Sequence, residues 1–440
     1  MDDFDIIDAA LAPFWGLSGV EVKRRLGVAR GDGVEVRYCG FGGGGFTEGC
    51  GVLGGEVLRW FGDGDVGDIW AHLEGVDLLV NVLDEPRVLS GGVVGLADDD
   101  GSVVWTDHSH SRVWEDVTAV CDYGRGSDLV RDDTPTGEDW AITLSFSDGR
   151  SKTLDLCQHP EYSHLHGLWD SPTSFRTTRT AVPILSPAVL STIGDIPIPA
   201  AAYTNKAYTY DELEDVAREN RTAGLYWAGK TTGSFQGVVD QDWKKHHRQR
   251  FVALVNKLEA KNHTYLTRPN QDTAWQPQIS GVLNTSLYSV HFTDVVQYAD
   301  AATNGAIRSY FDIRAADARN ESFKYTLNFD LDGNGHSGRF YRLLNSRSLP
   351  LKQTVFREWH DERLMPWLHY VPISLGMEEL LEVVRYLAEE EEGRELAAFM
   401  AEEGRRWSLR GLRPVDQAVY LYRLMLELAR LQDPDRLASS

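Results

Sequence analysis

The chain has 440 residues, 42% of them hydrophobic and 25% charged, with a formal charge of −22. That length exceeds one ordinary core and calls for two domains. The acidic surplus argues against a nucleic-acid partner, whose phosphates need concentrated Lys and Arg.

No run approaches the ~20 apolar residues of a membrane helix, and the N-terminal stretch lacks a basic-then-apolar leader. Taken alone, that reads as cytoplasmic. Two features point the other way. Sequons for N-glycans begin at Asn220, Asn262, Asn284 and Asn320. The cysteines, Cys39, Cys50, Cys121 and Cys157, are even in number and permit two disulfides in any of three pairings.

Residues 31–66 are glycine-rich (GFGGGGFTEGCG) and read as irregular, because glycine costs backbone entropy to order. In VDLLVNVLDEPRVL the apolar run Leu78 to Leu83 suits a strand buried on both faces, as in a parallel sheet. It stops at Asp84-Glu85-Pro86, placing a carboxylate at the carboxyl edge of the sheet, where open α/β folds bind ligands. Between residues 100 and 160, pieces such as SVVWTDHS and WAITLSFSDG read as inserted antiparallel strands. In CQHPEYSHLHG, the spacing of Cys157, His159, His164 and His166 fits no standard zinc site. The proline-rich SPAVLSTIGDIPIPAAAYT reads as an extended crossover.

From Asp211 the pattern turns helical, and AGLYWAG is another apolar strand. WKKHHRQRFVALVNKL, Trp243 to Leu258, reads as an amphipathic helix. FKYTLNFDLDGNGHSGRFYRLLNS is strand, glycine-rich loop and helix. Met377, Leu380, Leu381, Val384 and Leu387 share one helical face, and a last amphipathic helix covers Val415 to Leu431. The order predicts two α/β units closed by helices.

Gly224 to Thr231 satisfies the nucleotide-phosphate pattern G-x-x-x-x-G-K-[ST]. A true phosphate loop favours small residues between its glycines, whereas Leu225, Tyr226, Trp227 and Ala228 look like the strand itself. Asp330, Asp332, Asn334 and Gly335 imitate the opening of a calcium loop, yet Tyr341 stands where its bidentate Glu belongs. What remains is a loop of glycine and small polar residues before Arg339, a pattern suited to a diphosphate. A nucleotide-sugar transferase with two Rossmann-like units fits that combination. A nucleotide hydrolase and a turnover-free, lectin-like binding protein are the alternatives.

KYTLNFDLDGNGHSGRFYRLLNSRSLPLKQTVFREWHDERLMPWLHYVPI, Lys324 to Ile373, resembles the signature region of glycosyltransferase family 90, which holds fungal capsule-associated xylosyltransferases and animal protein O-glucosyltransferases. YWAGKTTG, HHRQRF, CQHPEYSHLHG and LLVNVLDEPRV are similar to further family blocks in the same order. The resemblance implies a GT-B fold: an acceptor-side domain over 1–210, a UDP-sugar domain over 211–405 and a helical tail over 406–440. It also implies inversion at the anomeric carbon without a metal ion, with Asp84 as the base. The donor loop falls on Asn334, Gly335, His336, Ser337, Gly338 and Arg339, and Gly229, Lys230 and Thr231 approach the UDP. Ala228 and Lys230 depart from the fungal pattern. Gln236 replaces an arginine of the O-glucosyltransferases, for which Arg248 or Arg250 compensates. Their acceptor loop has no counterpart after Pro199, so the acceptor is expected to be a glycan or glycoprotein. The secretory setting of the family implies a Golgi or endoplasmic reticulum lumen and a Cys121–Cys157 disulfide, with Cys39–Cys50 as a second pair.

Overall fold

The computed structural model describes residues 5–31, 36–42, 45–46, 49–55, 57–58, 73, 75–90, 103–121, 146–147, 154–237, 242–268, 270 and 273–438. Helices α1 (Asp5–Leu11) and α2 (Gly19–Gly31) lead into a first five-stranded sheet, ordered β2-β1-β3-β6-β7. Its strands are β1 (Val36–Gly42), β2 (Gly45–Phe46), β3 (Val76–Asn81), β6 (Ile184–Ser186) and β7 (Ile196–Pro197). Between β3 and β6, β4 (Trp105–Asp107) pairs antiparallel with β5 (Arg176–Thr178).

Two expectations change here. β1 runs through the glycine-rich region and pairs antiparallel with β3 from Val36 to Phe41, where Tyr38, Cys39 and Phe41 supply side chains to pack. The sheet is therefore mixed, with only β3–β6 and β6–β7 parallel, although β3 is almost wholly buried as its apolar run demands. The proline-rich crossover contributes β7 to the same sheet, because Ile196 and Ile198 bury in its core. Of the inserted strands, β4 lies within SVVWTDHS, while WAITLSFSDG falls outside the described residues except Phe146 and Ser147.

The second sheet is fully parallel: β8 (Thr222–Lys230), β11 (Tyr288–Asp294), β12 (Tyr325–Leu331), β13 (Leu349–Gln353) and β14 (Val371–Pro372), in the order β11-β8-β12-β13-β14. Helix α3 (His247–Val255) and a hairpin of β9 (His263–Thr267) and β10 (Gln276–Ser280) connect β8 to β11, and α4 (Ala301–Tyr310) connects β11 to β12. Residues 211–220 form 3-10 turns, not the expected helix. Their carboxylates are engaged elsewhere: Asp211 caps Leu213 N, and Asp215 accepts from Tyr210, Arg221 and Arg347. The Trp243–Leu258 helix likewise begins at His247, because Asp242 caps a separate 3-10 turn and His246 reaches sideways to Asp170.

Short α5 (Phe340–Leu344) follows β12, and α6 (Leu380–Glu389), α7 (Glu391–Gly411) and α8 (Pro414–Leu431) close the chain. Leu380, Leu381, Val384 and Leu387 enter the core of the second sheet, with Met377 beside them. Tyr420, Leu421, Leu424 and Leu428 of α8 return to the core of the first. The fold is thus α/β, with one C-terminal helix packed against the other end of the chain. Both disulfides are formed, Cys39–Cys50 and Cys121–Cys157.

Candidate active site

The strand order of the second sheet reverses between β8 and β12, since the chain adds β11 on one side of β8 and then β12 on the other, all parallel. Open parallel sheets take ligands outside the carboxyl ends of the two strands at such a switch point. The segments at those ends are residues 229–233, the last two residues of β8 with the turn after them, and 332–339, the two stretches singled out from the sequence. Leu225 to Ala228 pair with β11 as strand, and the helix after them starts only at His247, so the phosphate-loop pattern is the end of a strand.

The two loops are tied together. Gly233 N donates to Asn334 Oδ1 at 2.9 Å. Arg248 binds both, donating to the carbonyls of Lys230 (2.9 Å), Asp332 (2.6 Å) and Leu331 (3.1 Å) and to Thr232 Oγ1 (2.5 Å). Burial, and then the nearby charge of Arg339, push the Arg248 pKa down to about 9. Arg339 donates to the Ala228 carbonyl at 2.8 Å, with its guanidinium carbon 5.8 Å from the Trp227 ring centroid. It has no carboxylate partner among the described residues. Lys230 ends β8 exposed, and Gly229 is required because a Cβ there would lie 2.8 Å from the Trp227 ring. Thr231 is buried, and its hydroxyl exchanges 2.9 Å hydrogen bonds with Val296 N and O. Arg250 points elsewhere, donating to the carbonyls of Lys245, Leu165, Leu375 and Gly376.

The rest of the loop is held from below and from the first unit. Ser337 Oγ donates to buried Asp330 at 2.5 Å. Lys352 Nζ lies 3.3 Å from both Asp330 and Glu358, and Tyr203 OH donates to Glu358. The two carboxylates, Glu358 before Asp330, hold the Lys352 pKa above its ordinary value despite its burial. Tyr203 also stacks on Tyr341 and meets the His336 ring edge-on at 5.8 Å. A Cβ on Gly338 would stand 3.2 Å from the Ala202 methyl.

Asp84 is exposed on the turn after β3. It meets the second unit directly: a Cβ built on Gly335 would lie 2.5 Å from the Asp84 carbonyl oxygen and 3.0 Å from its Cβ. One loop therefore has the candidate base at Gly335 and the candidate diphosphate ligand at Arg339. Next to Asp84, Glu85 turns inward, only 2% exposed, and accepts from Ser174 N and Oγ, each at 3.3 Å. Burial pushes its carboxyl up to about 7. Asp195 anchors the far side of the turn, accepting from Arg87 N at 3.0 Å and Val88 N at 2.5 Å.

Sequence reasoning passed over the Tyr203–Glu358–Lys352–Asp330 chain. An acid and a lysine inside apolar strands were its available signal. The role of His166 was also missed. It stacks on His247 at 3.7 Å, and His247 Nε2 donates to the Asp332 carbonyl at 2.9 Å, so CQHPEYSHLHG buttresses the start of the 332–339 loop. Burial pushes both imidazoles well below their ordinary pKa, which leaves them neutral.

These features define an α/β protein whose candidate site lies at the carboxyl ends of parallel strands, faced by a carboxylate from the turn after β3. Residues 284–436 match the model of glycosyl transferase family 90. The rat protein O-glucosyltransferase 3 is 34% identical over 111 residues, 25% of this chain and 21% of its own length. The human protein O-glucosyltransferase 3 is 33% identical over the same span and shares. An O-glucosyltransferase rumi homolog from Aedes aegypti is 34% identical over 114 residues, 25% of this chain and 27% of its own. The chain thus spans between 21% and 27% of the length of these relatives. Asn334 to Arg339 fall inside the family match, and Asp84 and Gly229 to Thr231 lie outside it.

Proposed function

We propose that the chain is an inverting glycosyltransferase of the GT-B type, moving xylose or glucose from a UDP-sugar to a hydroxyl of a glycan or glycoprotein. The observation that carries this reading is the contact between Asp84 and Gly335, which puts a solvent-facing carboxylate at one end of a loop whose other end holds Arg339. In this reading residues 1–210 supply the acceptor side, 211–405 bind the donor and 406–440 form the helical tail.

Asp84 accepts the proton of the acceptor hydroxyl as that oxygen forms its bond to the anomeric carbon. The bond from that carbon to the UDP oxygen breaks on the opposite face, and the pair of electrons leaves with the diphosphate. Arg339, Lys230 and the amides around Gly229 receive the developing charge, an electrostatic role that the reading gives to side chains and not to a metal ion. Arg248 acts through the loops that it clamps. The family match and the names of its relatives support sugar transfer, and the two disulfides agree with an oxidising lumen. No helix among the described residues is long and apolar enough to cross a membrane.

Purified protein is incubated with UDP-xylose, UDP-glucose and other UDP-sugars, plus glycan acceptors, with and without EDTA. Acceptor-dependent UDP release that persists in EDTA is the expected result. No release with any donor, together with no thermal shift by UDP, would contradict it.

A further inference from the structure

We infer that Asn81 is the positioning residue of Asp84, an inference that rests on the reading of Asp84 as the base. Asn81 is the last residue of β3, 4% exposed, and its amide makes four hydrogen bonds. Oδ1 accepts from Leu83 N at 3.1 Å and from Arg87 Nε at 3.1 Å. Nδ2 donates to the Glu85 carbonyl at 2.8 Å and to Ser186 Oγ at 3.1 Å. The orientation of the amide is fixed by these partners, since a flip would set its NH₂ against two donors and its oxygen against a carbonyl.

The consequence lies in which backbone groups are held. Leu83 N and Glu85 O belong to the residues on either side of Asp84, so one buried side chain grips both flanks of the turn that presents the carboxylate. Asn81 is itself anchored, because Ser186 donates onward to buried Asp195, which receives the amides of Arg87 and Val88. The Asp84 side chain is exposed, and its placement therefore comes from the turn and not from side-chain packing. A misplacement of about 1 Å at a reacting group can cost ~10²-fold in rate.

Asn81→Asp keeps the shape and the acceptor facing Leu83 and Arg87, and it replaces the donor facing Glu85 and Ser186 with a second acceptor. The expected result is a fall in kcat of about 10- to 100-fold, with KM for the donor and UDP affinity within about twofold of wild type. In an Asp84→Asn background the same change should cost nothing further, because two residues acting as one unit are not additive. Ser186→Ala, which loosens Asn81 without altering it, should lower kcat by a smaller factor with the same unchanged UDP affinity. Wild-type kcat in both variants would overturn the inference. So would a kcat loss matched by an equal loss of UDP affinity, or a full loss repeated in the Asp84→Asn background. If Asp84→Asn alone retains transfer, the assignment of the base fails, a result distinct from Asn81 variants that leave kcat intact beside an inactive Asp84→Asn.

Discussion

Replacing Gly335 by alanine probes the point where the two units meet. The added Cβ would lie 2.5 Å from the Asp84 carbonyl oxygen, 3.0 Å from its carbonyl carbon and 3.0 Å from its Cβ. Nonbonded carbon contacts are comfortable at about 3.5 Å, so the Asp84 turn and the donor loop must separate by about 1 Å. The obstacle is backbone, which cannot swing aside as a flexible side-chain end would. Such overpacking costs typically 1–3 kcal/mol, and because it acts on the spacing between the proposed base and the proposed donor loop it should appear in the rate more than in the fold. The expected outcome is a kcat reduced by ~10²-fold, a melting temperature lowered by a few degrees and UDP affinity little changed, since Arg339 lies at the other end of the loop. Steady-state kinetics with saturating donor, paired with calorimetry of UDP binding, reads all three. Wild-type kcat in Gly335→Ala would refute the claim that this contact sets the catalytic spacing.

Other expectations follow from the same geometry. Arg339→Ala removes a guanidinium whose hydrogen bond, among the described residues, reaches only the Ala228 carbonyl, so the fold should persist while UDP affinity falls tenfold or more, a charge-assisted bond contributing about 1.5–3 kcal/mol; calorimetry showing unchanged affinity would move the proposed diphosphate site. Glu85, raised from 4.5 to about 7 by burial, contributes a stability that is full below pH 4.5 and is lost as the pH rises to 7, about 3 kcal/mol in all. Melting temperatures across that window should therefore decline less steeply in Glu85→Gln than in wild type, and parallel curves would deny the buried acid this role. The sequon asparagines Asn262 and Asn284 are exposed at the two ends of the β9–β10 segment, so protein secreted from a eukaryotic host should carry glycans at both. Peptide mapping that finds both unmodified would weaken the lumenal assignment.

The parts of the site written in contiguous sequence were legible in it. β8 announces itself as Leu225 to Ala228, too bulky for a phosphate loop, and β12 with its glycine-rich sequel to Arg339 follows from periodicity and turn residues alone. β1 was hidden because glycines flank it, and its pairing with β3 depends on side chains such as Cys39 and Phe41 that pack only once the sheet exists. The 211–220 segment has helical spacing, but Asp215 finds Arg221 and Arg347 at longer range, and those bonds outweigh a weak local preference. The approach of Gly335 to Asp84 and the hold of Tyr203 on Glu358 join residues 251 and 155 positions apart, and no local pattern encodes such distances. Arg250 shows the same limit: it shares a helix with Arg248, yet its guanidinium serves carbonyls away from the 229–233 loop.

Asp84→Asn bears most directly on the central claim. The amide keeps the shape of the carboxylate on an exposed turn, so folding and UDP binding should be preserved, while an amide cannot take a proton at neutral pH. Acceptor-dependent UDP release should fall by ~10²- to 10⁴-fold, the usual contribution of a general base, with calorimetric UDP affinity unchanged. Transfer at near wild-type rate in Asp84→Asn would contradict the account.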